Sequence, residues 1–249
     1  MSKDITIEVC IDSVQSAIEA QQGGANRVEL CDNLFEGGTT PSAGAIAIAR
    51  KYITIGLHVM IRPRGGDFYY SGIEFECMKK DIQIAKELGA DGIVFGLLTK
   101  DGHIDVARSK ELTDMALPLQ VTFHRAFDMT VDPVQALEDI ISIKGITRLL
   151  TSGQEKSAPE GAELIAQLIE QANGRIIIMP GAGIYERNIA KMKKITGASE
   201  FHVTGYKTVH SQMEYRNPTI FMGGTLSLPE YDMNVVDAGR IQAIRSAAN

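Results

Sequence analysis

Four times along the chain a glycine is followed within three residues by a short β-branched or apolar run: GANRVEL from Gly24, GADGIVF from Gly89, GITRLL from Gly145 and GASEFHV from Gly197. Glycine adopts the left-handed conformation that closes a helix. Each copy therefore reads as the end of a helix and the start of a strand. Between the copies lie four further strand-like runs, so the glycines mark the second, fourth, sixth and eighth strands. The eight are Ile5 to Ile11, Arg27 to Cys31, Ile53 to Arg62, Gly92 to Leu98, Leu119 to His124, Arg148 to Ser152, Arg175 to Gly181 and Glu200 to Gly205. Each is bounded by turn residues. Amphipathic stretches separate them, clearest at Glu74–Leu88, Pro133–Ile143, Ala158–Gln171 and Glu186–Ile195. Asp12, Ser42, Asp105 and Asp132 are the expected N-caps, the last with Pro133 at the first helical position.

A βαβα quarter repeated four times predicts an α/β fold, a closed (β/α)8 TIM barrel rather than an open doubly wound sheet. At 249 residues the chain has the length of one such barrel, and no linker divides it. Residues 1–249 are expected to form one domain. Two longer loops interrupt the rhythm, Arg62 to Ser71 after the third strand and Tyr206 to about Glu230 after the eighth. Both lie at the C-terminal ends of strands, where barrel loops build active sites.

The net charge of −6 argues against a nucleic-acid surface, which needs a basic stripe. The start MSKDITIEVC carries no signal segment, and no apolar run reaches membrane-spanning length. Three cysteines in a long chain make no disulfide framework. The expectation is a cytoplasmic protein with reduced thiols, no membrane partner and no nucleic-acid partner.

Strand alternation sorts the side chains. Ile5, Ile7, Val9 and Ile11 share one face of the first strand, opposite Thr6, Glu8 and Cys10. Val28 and Leu30 lie opposite Arg27, Glu29 and Cys31. The same parity sets His58, Met60 and Arg62, then Thr122 and His124, then His202 and Thr204, against aliphatic or aromatic partners. The aliphatic face belongs under the helices, so the inward face is polar: Glu8, Glu29, His58, Arg62, His124 and His202, with Cys10 and Cys31. Barrel interiors are usually Val, Ile and Leu. Cross-barrel ion pairing, for example of Glu8 or Glu29 with Arg27 or Arg62, is the structural alternative to a functional site. Stability alone seldom demands such pairs.

The polar set offers distinct chemistries. Glu8 and Glu29 are candidate general acids or bases, His124 a proton shuttle, and Asp128 its orienting partner or a mate for Arg125. Arg62, Arg64 and Arg125 supply positive charge for an anionic substrate. PGAGI, with Gly181 and Gly183, follows the seventh strand, and His202 stands on the eighth, where barrels often bind phosphate. Cys10 and Cys31 end neighbouring strands about 4.8 Å apart, close enough to share a soft ion if they stand at matching heights. Two thiols suit Cu(I) better than a four-ligand zinc site, and the alternative is that both are buried fillers. Cys77 reads as packing. No nucleophile elbow, Walker loop or HExxH motif is present, and no organic cofactor is expected.

The segments IEVC, GANRVELC, EGGTTPS, VMIRPRGGDFYYS, VTFHRAFD, RLLTSG, MPGAGI and EFHVTG closely resemble the CutC family over nearly the whole chain. The resemblance implies a (β/α)8 barrel, a cytoplasmic location, a copper homeostasis role and assembly as a monomer or a homo-oligomer. It also implies copper ligation by the cysteines of the EVC and ELC motifs, here Cys10 and Cys31. Two functions follow: a Cu(I)-binding homeostasis protein, or a barrel lyase or isomerase acting on a small phosphorylated or carboxylated metabolite.

Overall fold

The computed structural model describes residues 5–217, 219–220 and 232–248. Eight parallel strands form one sheet: β1 (Thr6–Ile11), β2 (Arg27–Leu30), β3 (Gly56–Met60), β4 (Gly92–Phe95), β5 (Gln120–Phe123), β6 (Ile146–Thr151), β7 (Ile177–Pro180) and β8 (Glu200–Val203). Hydrogen-bonded neighbours run β7-β6-β5-β4-β3-β2-β1-β8. β7 and β8 meet across the seam of the rolled sheet, in contact but without ladder bonds. Among the described residues eight α-helices surround it: α1 (Val14–Gln22), α2 (Ala43–Tyr52), α3 (Gly72–Glu87), α4 (Val106–Ala116), α5 (Pro133–Ser142), α6 (Ala162–Ala172), α7 (Ile189–Thr196) and α8 (Ala238–Ala248). The fold is a (β/α)8 barrel, as the repeated quarter predicts.

Local chemistry fixes the boundaries. Gly24, Gly89, Gly145 and Gly197 all have positive φ, from 73° to 111°, so each stops its helix where an L-residue would be strained. Ser42, Asp105 and Asp132 cap α2, α4 and α5 through side-chain oxygens. The cap of α1 is Ser13 rather than Asp12, because Ser13 is the extended residue directly before Val14 and its hydroxyl accepts from the Ser16 N–H. Cys77 on α3 is exposed, not packed.

The tail after β8 differs from a plain loop. Tyr206–His210 (β9) pairs antiparallel with Asp232–Val236 (β10), making a hairpin that leads into α8. Residues 218 and 221–230 of that segment lie outside the described residues.

The main core lies between barrel and helices. Ile7, Val9, Ile11, Val28, Leu30, Leu57, Val59 and Ile61 are all buried there, on the face that alternation assigns to the helices. Full burial of such side chains is worth about 1.5–3 kcal/mol each. A second, small cluster fills the barrel itself: Cys10, Cys31, Met60 and Val94, with Leu34 packed against it. The opposite faces of the strands therefore separate as alternation requires. Two glycines on β4 and just beyond it make the polar interior sterically feasible. A Cβ at Gly92 would lie 2.7 Å from the His58 ring, and one at Gly96 would lie 2.5 Å from His124.

Candidate functional site

At the C-terminal end of the strands opens a cavity of about 510 Å³. Its polar lining includes Cys10, Glu29, Arg62, His124, Arg125 and His202, and apolar side chains such as Leu34, Phe68 and Ile184 complete the wall. Asp128 and Gly183 also line it. Glu8, Cys31, Arg64 and Gly181 do not.

Glu8 lies beneath the cavity and is fully buried. Arg27 Nε donates to its Oε2 at 2.5 Å, and His202 Nδ1 stands 2.8 Å from its Oε1. Burial opposes its ionisation, but Arg27, His202 and His58 outweigh that and hold the carboxyl well below the usual range. The Arg27 guanidinium also donates to Glu200, which in turn takes Arg148 Nε at 2.6 Å. The cross-barrel pairing thus exists for Glu8, but Glu29 and Arg62 take no part in it.

The thiols sit above this network. Strand register pairs Cys10 with Glu29, so Cys31 stands farther along its strand rather than at a matching height. Side-chain reach closes the gap: donor atoms of Cys10, Glu29 and Cys31 all lie within 4.8 Å of one another, and all three residues are buried. The Cys31 S–H donates to Glu29 Oε2 at 3.5 Å, with the Cys10 sulfur beside it. Burial raises the Glu29 carboxyl well above its ordinary range, with the neighbouring Cys10 and Glu8 charges adding to the shift against His202. The neighbouring Cys31 thiol, helped by His202 against burial, lowers the Cys10 thiol to about 5, while Cys31 is pushed up. His202 is held as imidazolium: burial opposes the charge, but Glu29, Cys10 and Glu8 favour it.

His124 caps the short 3-10 turn Arg125–Met129, its Nδ1 accepting the Ala126 N–H at 3.1 Å. Nδ1 is thus an acceptor, and the neutral ring carries its proton on Nε2. Burial and the Arg62 and Arg125 charges lower this histidine to about 3. Asp128 bonds not to His124 but to Arg125 Nε at 2.7 Å, to Ser152 and to the Gln154 N–H, tying the turn to the loop after β6. Arg62 is buried, and its Nη atoms donate to the carbonyls of Glu36, Gly38 and Gly66. No carboxylate among the described residues pairs with it. Arg64 instead staples its own loop, donating to Glu74 Oε1, Asp67 and the Tyr69 carbonyl. Gly181, just past β7, packs between β6 and β8, where a Cβ would meet Leu150 and His202.

The reading from sequence left out Glu200 and Arg148, although Glu200 shares the parity of His202 on its strand. Phe68, between the Arg62 guanidinium and the His124 ring, carried no sequence signal of its role. Nor did Arg240, which reaches the cavity wall from α8.

The CutC family model matches residues 5–207. A CutC family protein from Chromobacterium violaceum is 52% identical over 98% of this chain and 98% of its own. A human copper homeostasis protein cutC homolog is 51% identical, covering 97% of this chain and 88% of the relative. A solved structure bearing the CutC name, from Streptococcus agalactiae, superposes with a TM-score of 0.76 at 37% identity, over 80% of this chain and 98% of that one.

Proposed function

The chain belongs to the CutC family, and on that premise we propose that it serves copper homeostasis by holding Cu(I) between Cys10 and Cys31. The observation that carries this reading is the convergence of two buried sulfurs on a point open to the cavity through Cys10. Thiolates are the preferred ligands of Cu(I). Glu29 stands within reach as a third donor or as acceptor of the proton that Cys31 must lose on binding. Titration of the reduced protein with Cu(I) against a competing chelator tests the proposal. Cys10→Ser and Cys31→Ser should each weaken binding by more than the roughly 10–100-fold that loss of an outer-shell partner costs. Weak binding, indifferent to both changes, overturns it.

A second reading has its own observation. A cavity of about 510 Å³ lined by Arg62, His124 and Glu29 is far larger than one ion needs and falls in the range of small-molecule sites. On this reading the barrel is a lyase or isomerase for a small phosphorylated or carboxylated metabolite. Both readings place the protein in the cytoplasm, where thiols stay reduced.

A further inference from the structure

Just beyond β7 the chain turns through Ala182, Gly183 and Ile184, and all three line the cavity. Ala182 and Gly183 both have positive φ, 71° and 74°. For alanine that conformation costs about 1–3 kcal/mol and persists only where the surroundings enforce it. The carbonyls of this turn are anchored outside the cavity: Ala182 O accepts the Ala158 N–H at 2.9 Å, and Gly183 O accepts Asn188 Nδ2 at 2.8 Å. In a trans peptide the N–H points opposite to the carbonyl. The Gly183 N–H therefore faces away from Ala158, and the Ile184 N–H away from Asn188. Among the described residues, no acceptor takes the N–H of Ala182, Gly183 or Ile184, whereas the preceding Gly181 N–H is bonded to Thr151 O at 3.0 Å. Three successive unbonded amides on a left-handed turn are a cradle for anionic oxygens.

A second observation points to the same kind of ligand. Arg62 is only 4% exposed, lines this cavity, pairs with no carboxylate among the described residues and keeps a buried Nε without a partner. Buried unpaired charge costs several kcal/mol unless something compensates it. The other cavity arginines are already matched, Arg125 by Asp128 at 2.7 Å and Arg240 by Glu186 at 3.3 Å. His124, also 4% exposed and lining the cavity, likewise keeps its Nε2 without an acceptor.

We infer that the Ala182–Ile184 turn is the phosphoryl subsite of the cavity, with Arg62 supplying the compensating charge, so that the ligand is a phosphomonoester of a small, partly apolar molecule. The inference rests on the second reading above and narrows its substrate class. Tetrahedral oxygens match a run of backbone donors, and the loops after strands seven and eight are where barrels of this topology most often seat phosphate. β3, which leads into Arg62, lies across the barrel from β7. A ligand held by the turn would thus have its body over the cavity, among Leu34, Phe68 and Ile184.

The test uses the full chain labelled with ¹⁵N and titrated with inorganic phosphate at fixed ionic strength. The amides of Ala182, Gly183 and Ile184 should shift together and saturably, and sodium acetate should move them much less. Arg62→Gln should weaken phosphate binding about tenfold, the loss expected for removing one positive charge from the lining of a partly buried cavity. Shifts that do not saturate, that fall mainly on other amides, or that acetate matches at equal concentration would overturn the assignment. The wild-type titration decides the matter even if Arg62→Gln fails to fold. Phosphate binding with no turnover of phosphomonoesters would sink the enzyme reading and leave the subsite standing. Absence of phosphate binding would sink the subsite and leave carboxylated substrates to that reading.

Discussion

Two polar sets share the axis of this barrel and are built on opposite plans. Toward the N-terminal end of the strands, Glu8 and Glu200 face Arg27 and Arg148, two carboxylates against two guanidiniums, joined by bonds of 2.5–2.6 Å. Toward the mouth, Glu29 Oε1, Arg62 Nε and His124 Nε2 are buried without a hydrogen-bond partner. An unsatisfied buried polar atom costs roughly 1–3 kcal/mol, so a stable fold keeps few of them. The four floor ions close on one another, and beside them His58 Nδ1, 3.6 Å from Glu8 Oε2, is also left unbonded. The mouth holds chemistry in reserve, and the reserve lies beside the sulfurs and the cavity.

The sharpest way to break this comparison is to remove one carboxylate from each set. Glu200→Gln leaves Arg148 without a carboxylate and Arg27 with Glu8 alone, and should destabilise the protein by about 3–5 kcal/mol, the cost of orphaning one side of a buried ion pair. Glu29→Gln should cost less than about 1 kcal/mol, because burial disfavours the charge of that carboxyl, no guanidinium pairs with it and an amide replaces it at equal volume. Urea denaturation of both variants gives the answer. Equal losses would mean that the mouth is as structural as the floor.

How far each set was visible in the sequence follows from the same contrast. The barrel was legible because its signals are local. A glycine stops a helix, a capping oxygen starts the next, and alternation sorts faces within each strand without knowledge of its neighbours. The polar interior was legible for that reason too, since Glu8, Glu29, His58, His124 and His202 all follow from parity. Register was not. Cys10 lies beside Glu29 instead of Cys31, and only the pairing of β1 with β2 reveals it. Partner choice was equally hidden. Asp128 three residues after Arg125 was a visible pair, but its capture of Ser152 and the Gln154 N–H depends on a loop that sequence cannot bring near. Arg64 and Arg62 look alike two positions apart, yet one folds back on its own loop and the other lines the cavity. The hairpin of β9 and β10 was missed because its strands are mostly exposed and lack the apolar alternation that marked the others.

The histidines sharpen the comparison next. His58 and His124 are buried beside positive charge, which lowers them to about 4 and about 3. In the unfolded chain they take protons near pH 6.5. Their contribution to stability is therefore complete above pH 6.5 and is lost as pH falls toward 4 and 3, by about 1.4 kcal/mol per pH unit for each ring. His202 runs the other way. Its folded-state value is raised, so its contribution is complete below pH 6.5 and fades as pH rises through that higher value. Imidazole ¹⁵N shifts should show His58 and His124 neutral at pH 5.5 and His202 still cationic at pH 7.5. A neutral His202 at pH 7.5 would remove the positive partner from Cys10 and undo the contrast between mouth and floor.

The smallest expected effect probes the cover of the mouth. The Phe68 ring sits 5.0 Å from the Arg62 guanidinium and 5.1 Å from the His124 ring. It is only half-buried, and its carbonyl is anchored by the Leu98 N–H at 2.9 Å. Phe68→Ala removes a cation–π contact worth about 0.5–1 kcal/mol at an exposed site. Backbone anchoring should keep the loop in place, so the total loss in urea denaturation should stay near 1 kcal/mol. The same substitution enlarges the cavity that Phe68 and Cys10 both line, and the Cys10 thiol is lowered to about 5. Alkylation of Cys10 by a bulky maleimide, followed by mass spectrometry, should accelerate, while Cys31, its thiol pushed up and outside the cavity wall, should stay unmodified. A loss as large as that of Glu200→Gln would show that Phe68 belongs to the load of the fold. Unchanged alkylation would show that it does not guard the thiols.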